Sequence, residues 1–491
     1  MKRLVTLFMA IALVLTLSIS VFAQTPKTEI TFDKTGDYVG YQLMTVKVAV
    51  KSGDTCQDGA HNKDCYTYSY KVNDKYAALV SLADIEGLDE VGMQAKANEI
   101  YNAILALNND DDATNNITPE LADFSGTTTS VEQGYWLFAD VTDSNDKEQA
   151  NSLVMVKTAG EIALNIETKT ALPTINKYVK DVNDSTGEES DWIKFADYDM
   201  GDNVPFQLVA TIHKDFKSYN EYKLVFEDTL DQGLKFNADS ITVKVYAEKD
   251  GAELTLKDTD YRVVSGENAF TVTFADIKNI DNITEKAVFE VTYDAELLDD
   301  TKVEVGGYNN KVTLKFSNDP YNTESLGKME SDAKVYTYKL KINKVDENNV
   351  ALNGAGFTLY KFDKTKGEYV AVGAEIKHLD ASVFEWFGLD DGNYKLVETT
   401  VPDGYNKMGD LEFTIDATIT VDEGVTALIS EELKKDVVNL EFSETVKNLS
   451  GTILPETGGM GTMWLIFGGS MLVILAAVFM IVRKKMSIYQ D

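Results

Sequence analysis

The chain has 491 residues, 80 Asp and Glu against 46 Lys and Arg, and a formal net charge of −34. That charge would repel phosphate backbones, so no nucleic acid partner is expected, and the acidity reads as a solvated extracellular surface. With three histidines, two cysteines and no Cys/His cluster, no zinc site and no His-based triad are expected, nor any metal or cofactor.

In chain order, Lys2 and Arg3 precede an apolar run from Leu4 to Val21, and Val21-Phe22-Ala23 offers a small-residue cleavage site. Residues 1–23 therefore read as a secretory signal peptide outside the fold. Residues 24–170 form a first region of mixed α/β character. There, Cys56 and Cys65 lie close together and face an oxidising exterior, so a local disulfide is expected. Ala97, Ile100, Tyr101, Ile104 and Leu105 recur at helical spacing, and polar residues from Asn108 to Asn116 make a loop. Gly134-Tyr135-Trp136-Leu137-Phe138 reads as a buried strand. Ile162, Leu164 and Ile166 share an apolar face, which leaves Lys169 on the opposite, exposed one.

From Pro173 the pattern is strand after strand. Ile241/Val243/Val245, Phe270/Val272/Phe274, Phe289/Val291/Tyr293 and Val312/Leu314/Phe316 each alternate with polar neighbours. Residues 171–325 are accordingly predicted to be a β-sandwich. A polar linker follows, Asn318 to Lys334. A second all-β unit spans 334–450, opening with Tyr338/Leu340/Ile342.

The C-terminal segment, 451–491, carries Leu454-Pro455-Glu456-Thr457-Gly458, an apolar stretch at 463–482, and Arg483-Lys484-Lys485. The stretch is long enough to cross a bilayer as a helix, and the basic tail would stay cytoplasmic. These three linked parts resemble the cell-wall sorting signal of Gram-positive bacteria. That resemblance implies a sortase that cuts between Thr457 and Gly458 and joins the chain to peptidoglycan. A plain membrane anchor is the competing reading.

Two further resemblances concern the sandwiches. Leu340-Lys341-Ile342-Asn343-Lys344-Val345-Asp346 and Leu352-Asn353-Gly354-Ala355-Gly356-Phe357 look like the opening of a collagen-adhesin B-type domain. The run from Gly388 to Asn406, with Tyr394-Lys395-Leu396-Val397-Glu398-Thr399-Thr400, is similar to the E-box of sortase-assembled pilins. Glu227-Asp228-Thr229-Leu230-Asp231-Gln232-Gly233-Leu234 resembles the preceding domain of backbone pilin subunits. The expected fold is thus mainly β: tandem immunoglobulin-like sandwiches, collagen-adhesin A-type then B-type, after a mixed α/β N-terminal domain.

Strand phase picks out six side chains, because residues i and i+2 share a face. Lys177 is in phase with Ile175 and Val179, and Lys344 with Tyr338, Leu340 and Ile342. Asp228 follows Leu224 and Phe226, and Glu398 follows Tyr394 and Leu396. Asn310 precedes Val312 and Leu314, whereas Asn309 is out of phase; Asn448 follows Phe442 and Val446. Each β-unit thus buries a lysine, an acid and an asparagine in the same order. Burial favours the neutral amine and the protonated acid. Those states let an amine attack a carboxamide while the acid shuttles a proton to departing ammonia. The expected products are two intramolecular isopeptide bonds, Lys177–Asn310 with Asp228 and Lys344–Asn448 with Glu398, which the pilin resemblance also implies. The competing reading is strand ends that are merely half exposed.

The resemblance further implies an intersubunit lysine at the boundary of the first two domains. Lys169 is the favoured acceptor, although Glu167-Thr168-Lys169 stands where such subunits carry Tyr-Pro-Lys; Lys180 is the alternative. The function expected is that of a major pilin subunit, linked through Thr457 to the lysine of another copy. It would act in surface adhesion to a host protein or glycan and catalyse nothing beyond its own crosslinking. A monomeric wall-anchored adhesin, a minor tip or base pilin and a surface enzyme remain as rivals.

Overall fold

A computed structural model describes residues 27–50, 66–109, 116–168, 172–298, 303–420, 424–451, 467–478 and 480. The predicted signal peptide, both cysteines, Lys169 and the predicted sorting motif Leu454 to Gly458 lie outside the described residues. Of the predicted 463–482 span, residues 467–478 and 480 are described, as helix. No helix among the described residues is long and apolar enough to cross a membrane.

The fold is mostly β, in several sheets. One compact unit comprises residues up to Val182, Glu189–Thr337 and Ile419–Gly424; the other comprises Asn183–Glu188, Tyr338–Thr418 and the residues from Val425 onward.

The first unit begins with the long strand Lys27–Val50, the centre of a six-stranded sheet. Tyr66–Val72, Leu121–Glu132 and Gly134–Asp140 pair with it antiparallel, and Ala163–Ile166 pairs with it parallel. Gly40 lets the strand run close under Phe138, whose ring a Cβ there would meet at 2.9 Å. The helix Glu90–Asn108 starts where the Asp89 carboxylate accepts from the Gly92 N–H at 2.8 Å, satisfying one of the unpaired donors of its first turn. Its Ala97, Ile100, Tyr101 and Ile104 are buried with Tyr41, Leu43, Leu137 and Leu153 in one core. Ile162, predicted to face inward, is 58% exposed; the strand begins only at Ala163.

The second half of this unit is a sandwich of two sheets around one core. One runs Phe195–Asp197, Leu326–Tyr336, Tyr308–Ser317, Leu224–Leu230, Ala269–Phe274, Arg262–Ser265. The other runs Leu234–Phe236, Val288–Leu297, Asn203–Thr211, Ile175–Val179, with Thr242–Tyr246 also on Val288–Leu297. The stretch 318–334, predicted as a linker, instead contributes most of the strand Leu326–Tyr336, paired along Tyr308–Ser317 from Val335 to Leu326. Its charges fall on half-buried and exposed positions, so the polar composition concealed a strand.

The second unit is also a two-sheet sandwich. Val383–Leu389, Tyr338–Val345, Glu441–Lys447 and Lys434–Asp436 form one sheet, and Glu368–Ala371, Gly356–Asp363, Gly392–Thr400, Leu411–Thr420 and Gly424–Ile429 form the other, with Ile376–Lys377 on Gly356–Asp363. Tyr338–Val345 and Glu441–Lys447 are parallel neighbours, with Lys344 opposite Val446. Tandem immunoglobulin-like sandwiches therefore follow a mixed α/β region.

Candidate crosslinking sites

The first site joins the two sheets of the middle sandwich. Ile175–Val179 alternates buried and half-buried positions, and Lys177 takes a buried one with no exposed area. Its Nζ meets Asn310 Oδ1 at 2.5 Å and also bonds Asp228 Oδ2. Asp228 stands on Leu224–Leu230 opposite Val312, and Asn310 on Tyr308–Ser317 opposite Leu230, so both project from the sheet facing Lys177. All three side chains are effectively sealed from water. The phenyl rings of Phe206 and Tyr293 sit 5.5 and 5.4 Å from the amine.

Burial in this setting penalises charge. It pulls the Lys177 ammonium down to about 8, against the opposing pull of Asp228, and pushes the Asp228 carboxyl up despite Lys177. Both shifts move the pair toward an uncharged amine and an uncharged acid.

Tyr293 is the residue that sequence phase listed only as core. Its Oη accepts from Lys177 Nζ at 2.8 Å and from Asn310 Nδ2 at 2.7 Å, and donates to Asp228 Oδ1 at 3.0 Å. The signal that could have found it is a tyrosine on a fully inward face, since its hydroxyl must then find polar partners inside.

The second site lies within the C-terminal sandwich. Lys344 is fully buried on Tyr338–Val345, and Asn448 follows the neighbouring parallel strand directly. Lys344 Nζ is 2.5 Å from Asn448 Oδ1 and 3.3 Å from Glu398 Oε1. Glu398, from Gly392–Thr400 in the other sheet, accepts from Asn448 Nδ2 at 2.7 Å through that same oxygen. Its second oxygen accepts the Met408 N–H at 2.8 Å. Burial lowers the Lys344 ammonium, with Glu398 opposing.

A second buried lysine of this unit, Lys361, has a different environment. Its ammonium pairs with two acids, Asp390 at 3.0 Å and Asp184 at 3.1 Å. That is an ion pair, the usual way to retain a buried charge.

Of the boundary lysines, Lys180 is half-buried, 5.5 Å from the centroid of Trp192 and 3.5 Å from a Glu189 oxygen.

The family model described as SpaA, a prealbumin-like fold domain, matches residues 338–426. Among solved structures, the T6 backbone pilin of serotype M6 Streptococcus pyogenes, described as modular and three-domain, is similar at 16% identity with a TM-score of 0.54. The match covers 87% of this chain and 98% of that one. The full-length major pilin SpaD of Corynebacterium diphtheriae (17%, TM-score 0.44, 88% and 98% covered) and the major pilin subunit BcpA of Bacillus cereus (20%, 0.40, 68% and 92%) also match. No curated protein matches the chain. The T6 likeness is one of fold.

Proposed function

We propose that this chain is the repeating subunit of a covalent surface fibre, a major pilin, stiffened by Lys177–Asn310 and Lys344–Asn448 isopeptide bonds. One observation carries the reading: two fully buried lysines in successive sandwiches each meet an asparagine carboxamide at 2.5 Å beside a buried acid. Burial penalises the ammonium form of both lysines even with an acid beside each, and favours the neutral amine facing a carboxamide. As a nucleophile and its electrophile, the same pair makes chemical sense.

In each site the neutral amine attacks the asparagine Cγ, the new N–C bond forms, and the carboxamide nitrogen leaves as ammonia. Asp228 and Glu398 take the proton that frees the amine, and one of the amine's remaining hydrogens ends on the departing nitrogen. The three domains would be 24–170, the middle sandwich through Thr337, and the unit from Tyr338 to about 450. After secretion and signal-peptide removal, a sortase would cleave after Thr457 and transfer it to Lys169 of the next copy. Head-to-tail repetition extends without closing, as a filament must. The last copy would be attached to peptidoglycan, leaving the fibre on the cell surface to meet a host protein or glycan. Cys56 and Cys65 would pin one loop of the first domain.

Blotting of wall extracts tests assembly. A high-mass ladder that disappears in Lys169→Ala, while wall anchoring persists, is expected. A single band from the native chain would instead identify a monomeric wall-anchored adhesin, and a ladder surviving Lys169→Ala would shift the acceptor to a residue such as Lys180. Mass spectrometry of the native chain tests the internal bonds, which should remove two ammonia molecules from the sequence mass.

A further inference from the structure

We propose that Tyr293 is a catalytic residue of the first site, its hydroxyl relaying a proton from the attacking Lys177 nitrogen to the departing Asn310 nitrogen. The inference rests on the Lys177–Asn310 crosslink proposed above and adds a residue to its chemistry. Oη of Tyr293 lies within hydrogen-bond distance of both nitrogens that exchange places, at 2.8 and 2.7 Å. Among the described residues, no hydrogen bond joins Asp228 to Asn310; the carboxylate's hydrogen bonds go to Lys177 and Tyr293. The acid therefore meets the nucleophile and stops short of the leaving group, and the phenol spans the remaining gap. In the second unit no such bridge is needed. Glu398 Oε1 itself touches Lys344 Nζ at 3.3 Å and Asn448 Nδ2 at 2.7 Å.

The step balances without any outside reagent. Asp228 first takes the third ammonium proton, leaving Lys177 as the amine. The Nζ lone pair attacks Asn310 Cγ and the N–C bond forms. One Nζ hydrogen then passes to Oη while the hydroxyl hydrogen, directed at Asp228 in the resting site, turns to Nδ2. The Cγ–Nδ2 bond breaks and ammonia leaves with its own two hydrogens and the transferred one. The new amide nitrogen keeps one hydrogen, and the tyrosine ends as it began. Burial and the neighbouring Asp228 keep the phenol protonated well above its ordinary range, so it acts as a two-way relay and never as a free base.

The test is Tyr293→Phe in the full chain. After a pulse of synthesis, mass spectrometry follows the proteolytic peptide that joins the Lys177 and Asn310 segments, with the Lys344–Asn448 peptide of the same molecules as internal reference. The variant should slow the first bond by about a hundredfold or more, the range of one positioned proton-transfer group, and leave the second unchanged. Adding Asp228→Glu, whose longer side chain imitates Glu398, should restore part of that rate; a purely packing role for the ring would not respond to it. Tyr293→Phe crosslinking at the native rate, or a double variant as slow as the single one, would overturn the relay and leave the bond standing. Absence of the joining peptide from the native chain would remove the first crosslink itself, and the relay with it.

Discussion

In the middle sandwich the lysine and asparagine stand on facing sheets and the acid is an aspartate; in the C-terminal sandwich the lysine stands on one strand, the asparagine directly after its parallel neighbour, and the acid is a glutamate. The difference in acid length follows from the difference in placement. Glu398 crosses from the opposite sheet and one of its oxygens reaches both Lys344 Nζ and Asn448 Nδ2. Asp228 shares a sheet with Asn310, is one methylene shorter, and works beside a tyrosine. The same chemical requirement, two buried nitrogens connected by a proton path, is met by one side chain in one unit and by two in the other.

Glu398→Ala breaks the comparison most severely. It removes the whole proton path of the second site and leaves Lys344 buried without its acid, whereas the first site is untouched. Losing closure of a loop spanning 104 residues costs about 5 kcal/mol by chain entropy. An uncompensated buried charge adds about 3–5 kcal/mol. At roughly 4 °C per kcal/mol for a domain of this size, calorimetry should show the C-terminal transition fall by more than about 20 °C, with one ammonia restored to the mass. A variant that retained the crosslink would show that the acid is dispensable there.

Placement also separates the two units under load. With both bonds formed, tension in the C-terminal unit passes from Lys344 directly to Asn448 at the end of its last strand. In the middle unit Leu326–Tyr336 lies beyond Asn310, outside the closed loop, and Asn310 pairs with Ala333 near the open end of that hairpin. Pulling from Asn310 toward Thr337 therefore opens the ladder one pair at a time. Single-molecule stretching should release the segment from Lys311 to Thr337, about 90 Å at ~3.4 Å per residue, and nothing from the C-terminal sandwich. A release of ~450 Å from the middle unit, the length of the 133-residue span between Lys177 and Asn310, would mean that no bond is there.

Strand alternation is a local property, which is why the inward direction of Lys177, Lys344, Asp228, Glu398 and Asn310 could be read from the sequence: each lies in a strand with apolar neighbours two residues away. Asn448 could be reached by extending that phase past the strand end. What phase cannot convey is which inward residues meet across a sandwich, so Tyr293 looked like another core aromatic. The strand Leu326–Tyr336 was concealed by its half-exposed, charged positions, and the strand Lys27–Val50 by its glycines and the register shifts between Thr31 and Gly36 and between Tyr38 and Gly40. Ile162 failed for the opposite reason: an apolar residue continued the pattern into a turn, where the Ile162 carbonyl accepts the Glu29 N–H.

The smallest expected effect distinguishes the electrostatics of the first site once its bond is prevented. Asn310→Ala leaves Lys177 buried beside Asp228 with nothing to attack. Burial holds the folded-state lysine at about 8, below its ordinary 10.5. Between those pH values the folded chain has released the proton while the unfolded chain still binds it. Stability rises with pH wherever the unfolded state binds more protons, so this variant should gain stability as pH climbs from about 8 toward 10.5. A native chain carrying the proposed crosslink, its Lys177 nitrogen an amide that no longer titrates, should lack that gain. Denaturant midpoints measured across this window compare the two directly. A variant whose stability stays flat or falls there would show that Lys177 remains a charged partner of Asp228, which would leave the amine unable to attack Asn310 in the native chain.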